Sequence, residues 1–449
     1  MEKMKYNRKN NKHSIKYLFT ALLILIMALP VCAEENLKKI DLDDAVALSL
    51  SNNLDLQSAR INVELAKNDI KTANRLQNPD INIFYNYGSA GRSEPQQIGI
   101  SELVEVAKRS PRKKLAKANL YKKELDVKLA EFTLEMDVRE TYVDLVGAKS
   151  VLASLNEQKM FLKELLEVAK KRLKSGSGSE IDVIQIEIAL NQMETRINSA
   201  KTVLRSARND FNKALNVGEN SSVIYDTKED MLPGETVFIS LKTPDYNLKM
   251  PSFELIAQKA LEKRLDIKAA AQDVEIAKKN LTVVERQRIP DIEVSGGYAY
   301  LAKNHSDTGR YAPGAYAAAN LQNIPLLYAY KPEIKNAKLQ IEQTKINYES
   351  ARNKALKDLN SAYDRFLTSQ VNLIFYKQKL IKDSENLMKI SKKNYYEGKS
   401  DLTSVLVMEQ AYGEIIISYL NSLTDYYTDW IDFLREVNSE EFVLETENI

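Results

Sequence analysis

Side chains that could carry out catalysis or hold a metal ion are scarce in this 449-residue chain. It contains two histidines, His13 and His305, and a single cysteine, Cys32. Two histidines cannot supply a histidine-based metal cluster, and one cysteine cannot form a disulfide within the chain or a cysteine-based zinc site. The glycine pattern of phosphate-binding loops does not occur either. The sequence therefore predicts a protein that is not an enzyme and uses no cofactor.

The elements that remain are mostly helices, and the clearest sign of them is one glycine-containing turn. A long stretch without proline has its paired glycines in one place, Gly176 and Gly178. Because glycine and proline are the strongest helix breakers, we interpret Leu103 to Asn216 as two long helices joined by a turn at 174–179. The first arm, Leu103 to Lys174, would extend about 100 Å at 1.5 Å per residue, a length that suits the periplasm of a double-membraned bacterium.

The same pattern occurs twice along the chain. Leu54-Asp-Leu56 recurs as Leu265-Asp-Ile267, and Asn78-Pro-Asp-Ile81 recurs as Ile289-Pro-Asp-Ile292 at the same offset. Internal repeats of this kind indicate a duplicated structural unit, here a helix, two strands, a long helix, a glycine turn and a return helix. The predicted segments are a signal peptide (1–33), a first repeat (34–216, tip near 174–179), a connector (217–251, with a short strand at 237–241), a second repeat (252–437, tip near 397–401) and an acidic tail (438–449).

The start of the chain has the features of a secretory signal peptide. A basic beginning is followed by an apolar stretch from Leu18 to Leu29 and a small-residue cleavage site at Val31-Cys32-Ala33. An uncleaved anchor helix and lipidation at Cys32 stay open as alternatives. No later apolar run has the roughly 18 residues that a membrane helix requires, so any membrane contact has to come from strands.

Each repeat interrupts its helices with two strands, which start just after Pro79 and Pro290. Apolar residues alternate with small or polar ones in these strands, which are predicted at 81–88, 97–101, 292–300 and, more weakly, 316–324. Such strands suit a membrane barrel with a wet lumen, although a half-buried soluble sheet gives the same alternation. Four strands cannot close, and an open edge cannot lie in lipid. The sequence therefore predicts a symmetric oligomer of two, three or four copies.

Taken together, these stretches resemble the outer membrane efflux proteins, the TolC-like channels. The resemblance covers essentially the whole chain after residue 33, and it is carried by Leu42-Asp-Asp-Ala45, Pro79-Asp-Ile81, the turn at 176–184, Ile324-Pro-Leu-Leu327 and the turn at 398–406. It implies a mostly α-helical fold with a small membrane β-barrel. Three copies would form a twelve-stranded barrel in the outer membrane and a helical tunnel in the periplasm. The implied function is a passive channel that opens by splaying of its helices. Independently of the resemblance, the net charge of +2 gives no electrostatic footprint for nucleic acid, so none is expected as a partner.

The resemblance also implies partners and makes the helix tips the candidate functional sites. The tips would contact a periplasmic adaptor and an inner-membrane pump or ABC exporter, while the strands contact outer membrane lipid. The candidate docking residues are Arg172, Gly176, Gly178, Gly398 and Lys399.

A carboxylate ring at the tips is the candidate periplasmic gate. Some family members have paired aspartates there, whereas this chain has Ser404 and Val407, so a ring would have to use Glu180, Asp182 or Asp401. Rings of carboxylates select cations, but an acid early in a helix also stabilises the helix dipole. Both interpretations stay open for Asp182, and helix capping is favoured for Asp401.

A second hypothesis is a soluble periplasmic coiled-coil scaffold or adaptor, because the helices show the seven-residue periodicity of helices that pack side by side. The basic run from Lys108 to Lys117 would lie just below the membrane in the channel interpretation. It is then either a contact for acidic lipid headgroups or adaptor, or a solvated helix start. The exported substrate stays open among drugs, metal ions and proteins.

Overall fold

The structure is a computed structural model that describes residues 36–87, 93–218, 223–230, 250–299 and 314–438. The predicted signal peptide with Cys32, the predicted strand at 237–241, both histidines and the tail after Asn438 lie outside the described residues. The elements, in chain order, are β1 (Asn36–Ile40), α1 (Leu42–Asn52), α2 (Leu54–Ala73), β2 (Asp80–Tyr87), β3 (Ser93–Val104), α3 (Arg109–Lys174), α4 (Glu180–Ala214), β4 (Val223–Thr227), α5 (Phe253–Lys263), α6 (Leu265–Arg286), β5 (Asp291–Ala299), β6 (Gly314–Gln322), α7 (Lys331–Phe375), α8 (Ile381–Tyr396) and α9 (Leu402–Val437).

Both halves of the chain contain two short helices, two strands and a long helical hairpin, in that order. Helix α3 has 66 residues, which corresponds to about 100 Å. In the second half the outgoing arm consists of α7 with 45 residues, a π-helical turn at Tyr376–Leu380 and α8 with 16 residues. None of the helices within the described ranges is long and apolar enough to cross a bilayer.

The predicted start of the first arm at Leu103 is wrong. Leu103 and Val104 belong to β3 and pair with β5, and the helix begins only at Arg109. The reason is that β5 offers pairing partners to β3 from Gln97 as far as Val104. Arg112 then closes the strand-to-helix turn, because its guanidinium donates to both carboxylate oxygens of Glu105 at 2.5 and 2.6 Å.

The main hydrophobic core lies where the middle of α3, the middle of α7 and the C-terminal half of α9 meet the short helices α1 and α5. Its centre is an aromatic cluster in which the ring of Phe366 lies 5.0 Å from Trp430, 5.4 Å from Tyr426 and 6.0 Å from Phe433, measured between centroids. Aromatic pairs at these separations contribute beyond their buried area. Two smaller apolar clusters continue along the arms toward the tips, so the two hairpins pack together over most of their length.

A parallel pair of short strands, β1 and β4, ties the connector to α3. The Lys149 ammonium of α3 donates to Asp226 Oδ1 at 3.0 Å, to the Thr227 carbonyl at 3.1 Å and to the Glu229 carbonyl at 2.9 Å. The Thr227 hydroxyl and the Asp230 carboxylate also lie within 3.0 Å, so the charge and the hydrogen-bonding capacity of this partly buried ammonium are satisfied. This strand pair was not predicted from the sequence.

The four predicted strands form one antiparallel sheet with the order β2-β3-β5-β6. One face carries large apolar side chains that are exposed in the chain: Ile81, Ile83, Ile98, Ile100, Val294 and Tyr298. On the opposite face Asn82 donates to Ser101 at 2.7 Å, and a Cβ placed at Gly99 would lie 2.3 Å from the hydroxyl of Tyr316. The first face is therefore apolar, the opposite face combines these polar groups with the exposed Phe84, and β2 and β6 form the two edges of the sheet.

Candidate functional site

The two glycine turns at the helix tips have the same backbone structure. Gly176 and Gly398 both adopt a φ of 75°, which glycine takes without the steric cost that other residues have. In the first turn Gly176 N–H donates to Leu173 at 3.1 Å and Ser177 N–H donates to Arg172 at 3.0 Å. In the second, Gly398 N–H donates to Tyr395 at 3.0 Å and Lys399 N–H donates to Asn394 at 2.8 Å. Both are Schellman caps, which satisfy the last carbonyls of a helix.

Two of the three tip glycines, Gly176 and Gly398, have open space around them, and the third, Gly178, is tightly packed. A Cβ at Gly176 or Gly398 would meet nothing within 4 Å, whereas a Cβ at Gly178 would lie 2.9 Å from the Cβ of Arg172. Gly178 is thus needed for close packing of the turn against the end of α3. Gly176, Gly398 and Lys399 are exposed, and Lys399 pairs with Glu397 of its own turn at 2.5 Å.

Arg172 joins the tip of the first hairpin to the tip of the second. Its Nη2 donates to the carbonyls of Tyr395 at 2.6 Å and Tyr396 at 3.1 Å, at the C-terminal end of α8. The guanidinium carbon also lies 4.5 Å from the ring centroid of Tyr395, within the range of a cation–π contact. A cation at a helix C-terminus is favoured by the helix dipole. Arg172 therefore faces the second hairpin rather than solvent, a direction that its place among the candidate docking residues did not indicate.

Lys392 makes a second connection between the hairpins, this time from the second hairpin to the first. Its ammonium on α8 lies 4.8 Å from the ring centroid of Phe161 and 3.8 Å from a carboxylate oxygen of Glu164, both on α3. We name the contacts of Arg172 and Lys392 with the opposite hairpin the tip clasp. The tip clasp holds the free ends of both hairpins side by side.

The three candidate gate carboxylates have three different surroundings. Glu180 is exposed in the first turn of α4. Asp182 is half-buried, and burial raises the pKa of the Tyr395 phenol on the opposite hairpin, a rise to which the negative charge of Asp182 adds. Asp401 is the N-cap residue of α9, where a hydrogen bond from the Ser404 hydroxyl lowers its pKa. No group of three or more His, Cys, Asp or Glu side chains that could hold a metal ion occurs in the described part of the chain.

A buried carboxyl near the tips was missed in the sequence. Glu409 of α9 is 6% exposed, and its Oε1 has no hydrogen-bond partner among the described residues. It lines a 620 Å³ cavity between α3, α4 and α9. Burial raises its pKa to about 7, and the positive charge of Arg196 opposes that rise. A signal was present, because Glu409 occupies the same seam as the buried Leu402, Val405 and Gly413, where an apolar residue is expected.

Three side chains of the basic run at the start of α3 make contacts within the chain. Lys108 pairs with Asp291 of β5 at 2.6 Å, and Arg109 donates to the carbonyl of Asn74 at 2.7 Å. Together with the Arg112–Glu105 pair described above, these contacts fix the sheet to the helices.

The fold combines an open antiparallel sheet with two long helical hairpins that extend away from it. The chain belongs to the outer membrane efflux protein family, whose model matches residues 45–217 and 256–432. No curated protein matches the chain.

Solved structures share this fold over most of their length. The outer-membrane channel OprN is 17% identical, with 89% of this chain and 90% of that chain covered and a TM-score of 0.70. The CmeC outer membrane channel of Campylobacter jejuni is also 17% identical, with 88% and 85% covered and a TM-score of 0.70. The open state of the MtrE outer membrane channel of Neisseria gonorrhoeae is 15% identical, with 89% of each chain covered and a TM-score of 0.70. These likenesses establish the fold, which is the one that the sequence predicted.

Proposed function

We propose that this protein is the outer membrane channel of a tripartite efflux or secretion system and that it works as a homotrimer. The observation that carries the proposal is the sheet, whose apolar face is exposed and whose edge strands β2 and β6 each have a partner strand on one side only among the described residues. An edge left open in lipid would have unsatisfied backbone groups, each at a cost of several kcal/mol. Pairing β6 of one copy with β2 of the next removes every edge, and three copies supply twelve strands.

In this proposal the channel is passive and contributes no catalytic chemistry. The apolar face contacts outer membrane lipid, the helical hairpins cross the periplasm, and the tips meet a periplasmic adaptor that couples the channel to an inner-membrane pump or ABC exporter. The exposed turns around Gly176 and Gly398, with Lys399, are the docking candidates on the tips. Their open surroundings support this role, because a partner can approach both turns without displacing other side chains.

The tip clasp is proposed to hold the periplasmic end closed. Charge-assisted hydrogen bonds contribute about 1.5–3 kcal/mol each, and the tips can separate only after Arg172 leaves the end of α8. Asp182, which acts on Tyr395 across the same interface, is the best-supported of the gate candidates. Glu180 is available to a carboxylate ring in the oligomer, whereas the Asp401 carboxylate accepts a hydrogen bond from the Ser404 hydroxyl of its own helix.

Membrane fractionation tests the proposed function. The protein should remain in the outer membrane fraction after washes with high salt and alkali, and should leave it only in detergent, as a particle with the mass of three copies. Recovery as a salt-extractable monomer would instead support the periplasmic scaffold and would refute the channel.

The clasp is tested separately with Arg172→Ala, with Lys171→Ala as a matched control. Lys171 is the exposed neighbour of Arg172 in the last turn of α3. In planar bilayers we expect the purified Arg172→Ala channel to be open at least ~10-fold more of the time than the unmodified channel, and Lys171→Ala to match the unmodified channel. Equal open fractions in all three proteins would exclude the clasp as the closing contact.

A further inference from the structure

The segment between β6 and α7, Asn323 to Tyr330, exposes two consecutive leucines. Leu326 is 84% exposed and Leu327 is 104% exposed, in a segment that directly follows β6. Adjacent large apolar side chains in full contact with water usually indicate an interaction site. We name this segment the leucine loop.

The leucine loop has a defined shape. Its first and last residues, Asn323 and Tyr330, adopt left-handed backbone conformations with φ of 59° and 53°, each of which costs about 1–3 kcal/mol in a residue other than glycine. Inside the loop Leu326 N–H donates to the Ile324 carbonyl at 2.8 Å. Such strain persists when surrounding contacts impose it, so the two ends of the loop have a fixed backbone conformation.

Contacts at the end of the loop provide that restraint. Arg288 donates to the carbonyl of Ala329 at 3.0 Å. Tyr328 packs edge-on against Tyr330, with ring centroids 5.4 Å apart, and donates a 2.5 Å hydrogen bond to Glu333 of α7. The loop is thereby anchored both to the residues before β5 and to the start of α7.

The stagger of the strands determines what lies beside the loop in an oligomer. Asp80, the first residue of β2, pairs with Ser101, Ser101 pairs with Ser295, and Ser295 pairs with Ala318. Ala318 of β6 therefore lies across the sheet from the start of β2, and β6 continues four residues beyond it, to Gln322. A sheet closes into a cylinder only if this stagger runs in one sense around it. Strand β2 of the next copy therefore begins near the end of β6, and the segment 74–79 that precedes it runs alongside the leucine loop.

That preceding segment has an apolar surface to offer. Leu76 is 61% exposed, and Ile81, at the start of β2, is 72% exposed. We propose that Leu326 and Leu327 pack against Leu76 of a second copy of this chain, next to Ile81 at the lower end of its lipid-facing surface, and so join neighbouring copies just below the sheet. This inference rests on the proposed homotrimeric channel and specifies a contact within it.

Disulfide cross-linking tests the contact. Leu76→Cys and Leu327→Cys are combined in one chain and oxidised in isolated outer membranes. The two single variants are the controls, and they also account for the natural Cys32. We expect at least half of the double variant to migrate as covalent dimers and trimers on denaturing gels, and at least ~10-fold less cross-linked product in either single variant.

Two further cysteine pairs separate failure of this inference from failure of the proposed channel. Asn82→Cys is combined in turn with Asn320→Cys and Gln322→Cys, which places cysteines on the same polar face of the two edge strands. Cross-linking of an edge pair without cross-linking of the 76–327 pair would overturn the leucine-loop contact and leave the channel intact. If no pair links and the protein has the mass of a monomer, the proposed function fails, and the contact fails with it.

Tryptophan quenching tests the alternative that the leucine loop lies in the membrane rather than against a second copy. The only natural tryptophan, Trp430, is buried in the helical core, so Leu327→Trp gives a distinct signal. We expect brominated phospholipids to reduce the added emission by less than a tenth. Quenching by half or more would place the loop in lipid and overturn the contact with a second copy.

Discussion

Replacing Glu409 with glutamine tests whether the buried carboxyl near the tips destabilises them when it ionises, because the change removes the charge and keeps the shape of the side chain. Burial raises the pKa of Glu409 from 4.5 to about 7, against the opposing charge of Arg196. Between pH 4.5 and 7 the Glu409 carboxyl is protonated when the tip is folded and ionised when the tip has opened locally. The free energy that favours the folded tip therefore falls as pH rises from 4.5 to 7. At about 1.36 kcal/mol per pH unit, the loss reaches about 3 kcal/mol above pH 7.

Hydrogen exchange measures this loss locally, because amides near the tips exchange through local opening rather than through global unfolding. The protection of residues 402–414 is compared between Glu409→Gln and the unmodified protein at each pH, so that intrinsic exchange rates cancel. We expect equal protection at pH 4.5 and up to ~300-fold greater protection in Glu409→Gln at pH 8.5. Glu414→Gln is the matched control, because Glu414 lines the same cavity and is exposed; it should stay within ~2-fold of the unmodified protein at both pH values.

A ratio of protection between Glu409→Gln and the unmodified protein that does not change from pH 4.5 to pH 8.5 would refute the reasoning. It would mean that the Glu409 carboxylate gains a cation or water in the assembled protein and loses no stability when it ionises. A pH-dependent ratio of the same size in Glu414→Gln would also refute it, because the effect would then belong to the surface and not to the buried group.

Two further changes test the tips and the core. Gly176→Val and Gly398→Val place a β-branched residue at a φ of 75°, which costs about 1–2 kcal/mol and affects only the turn. We expect these variants to form normal trimers but to recover at least ~10-fold less adaptor after cross-linking in cells. Gly218→Val, which also lies in open space, is the control and should recover the adaptor normally. Phe366→Ala removes the centre of the aromatic cluster and should lower the free energy of unfolding by about 3–5 kcal/mol, seen as an earlier guanidinium midpoint, with the exposed Phe375→Ala as control.

The sequence predicted those parts of the structure that depend on local chemistry. The two turns were recognisable because Gly176 and Gly398 take a backbone conformation that other residues adopt only with strain. The strands were recognisable because apolar and small residues alternate with the period of a strand. Their placement after Pro79 and Pro290 matches the beginnings of β2 and β5 at Asp80 and Asp291.

The sequence did not predict features that arise only when distant segments pack. The direction of Arg172 depends on the end of α8, more than 200 residues away along the chain, and no local pattern encodes that distance. The β1–β4 pair has five residues per strand, too few for a periodicity to be visible. The end of β3 was assigned to a helix because Leu103 and Val104 suit either structure, and pairing with β5 decided between them.

The channel itself is tested most directly by electrical recording from purified protein in a planar bilayer, with the mass of the same sample measured in detergent. We expect a particle of three copies that inserts and gives discrete conductance steps of uniform size. A monodisperse monomer that leaves the bilayer current unchanged would contradict it.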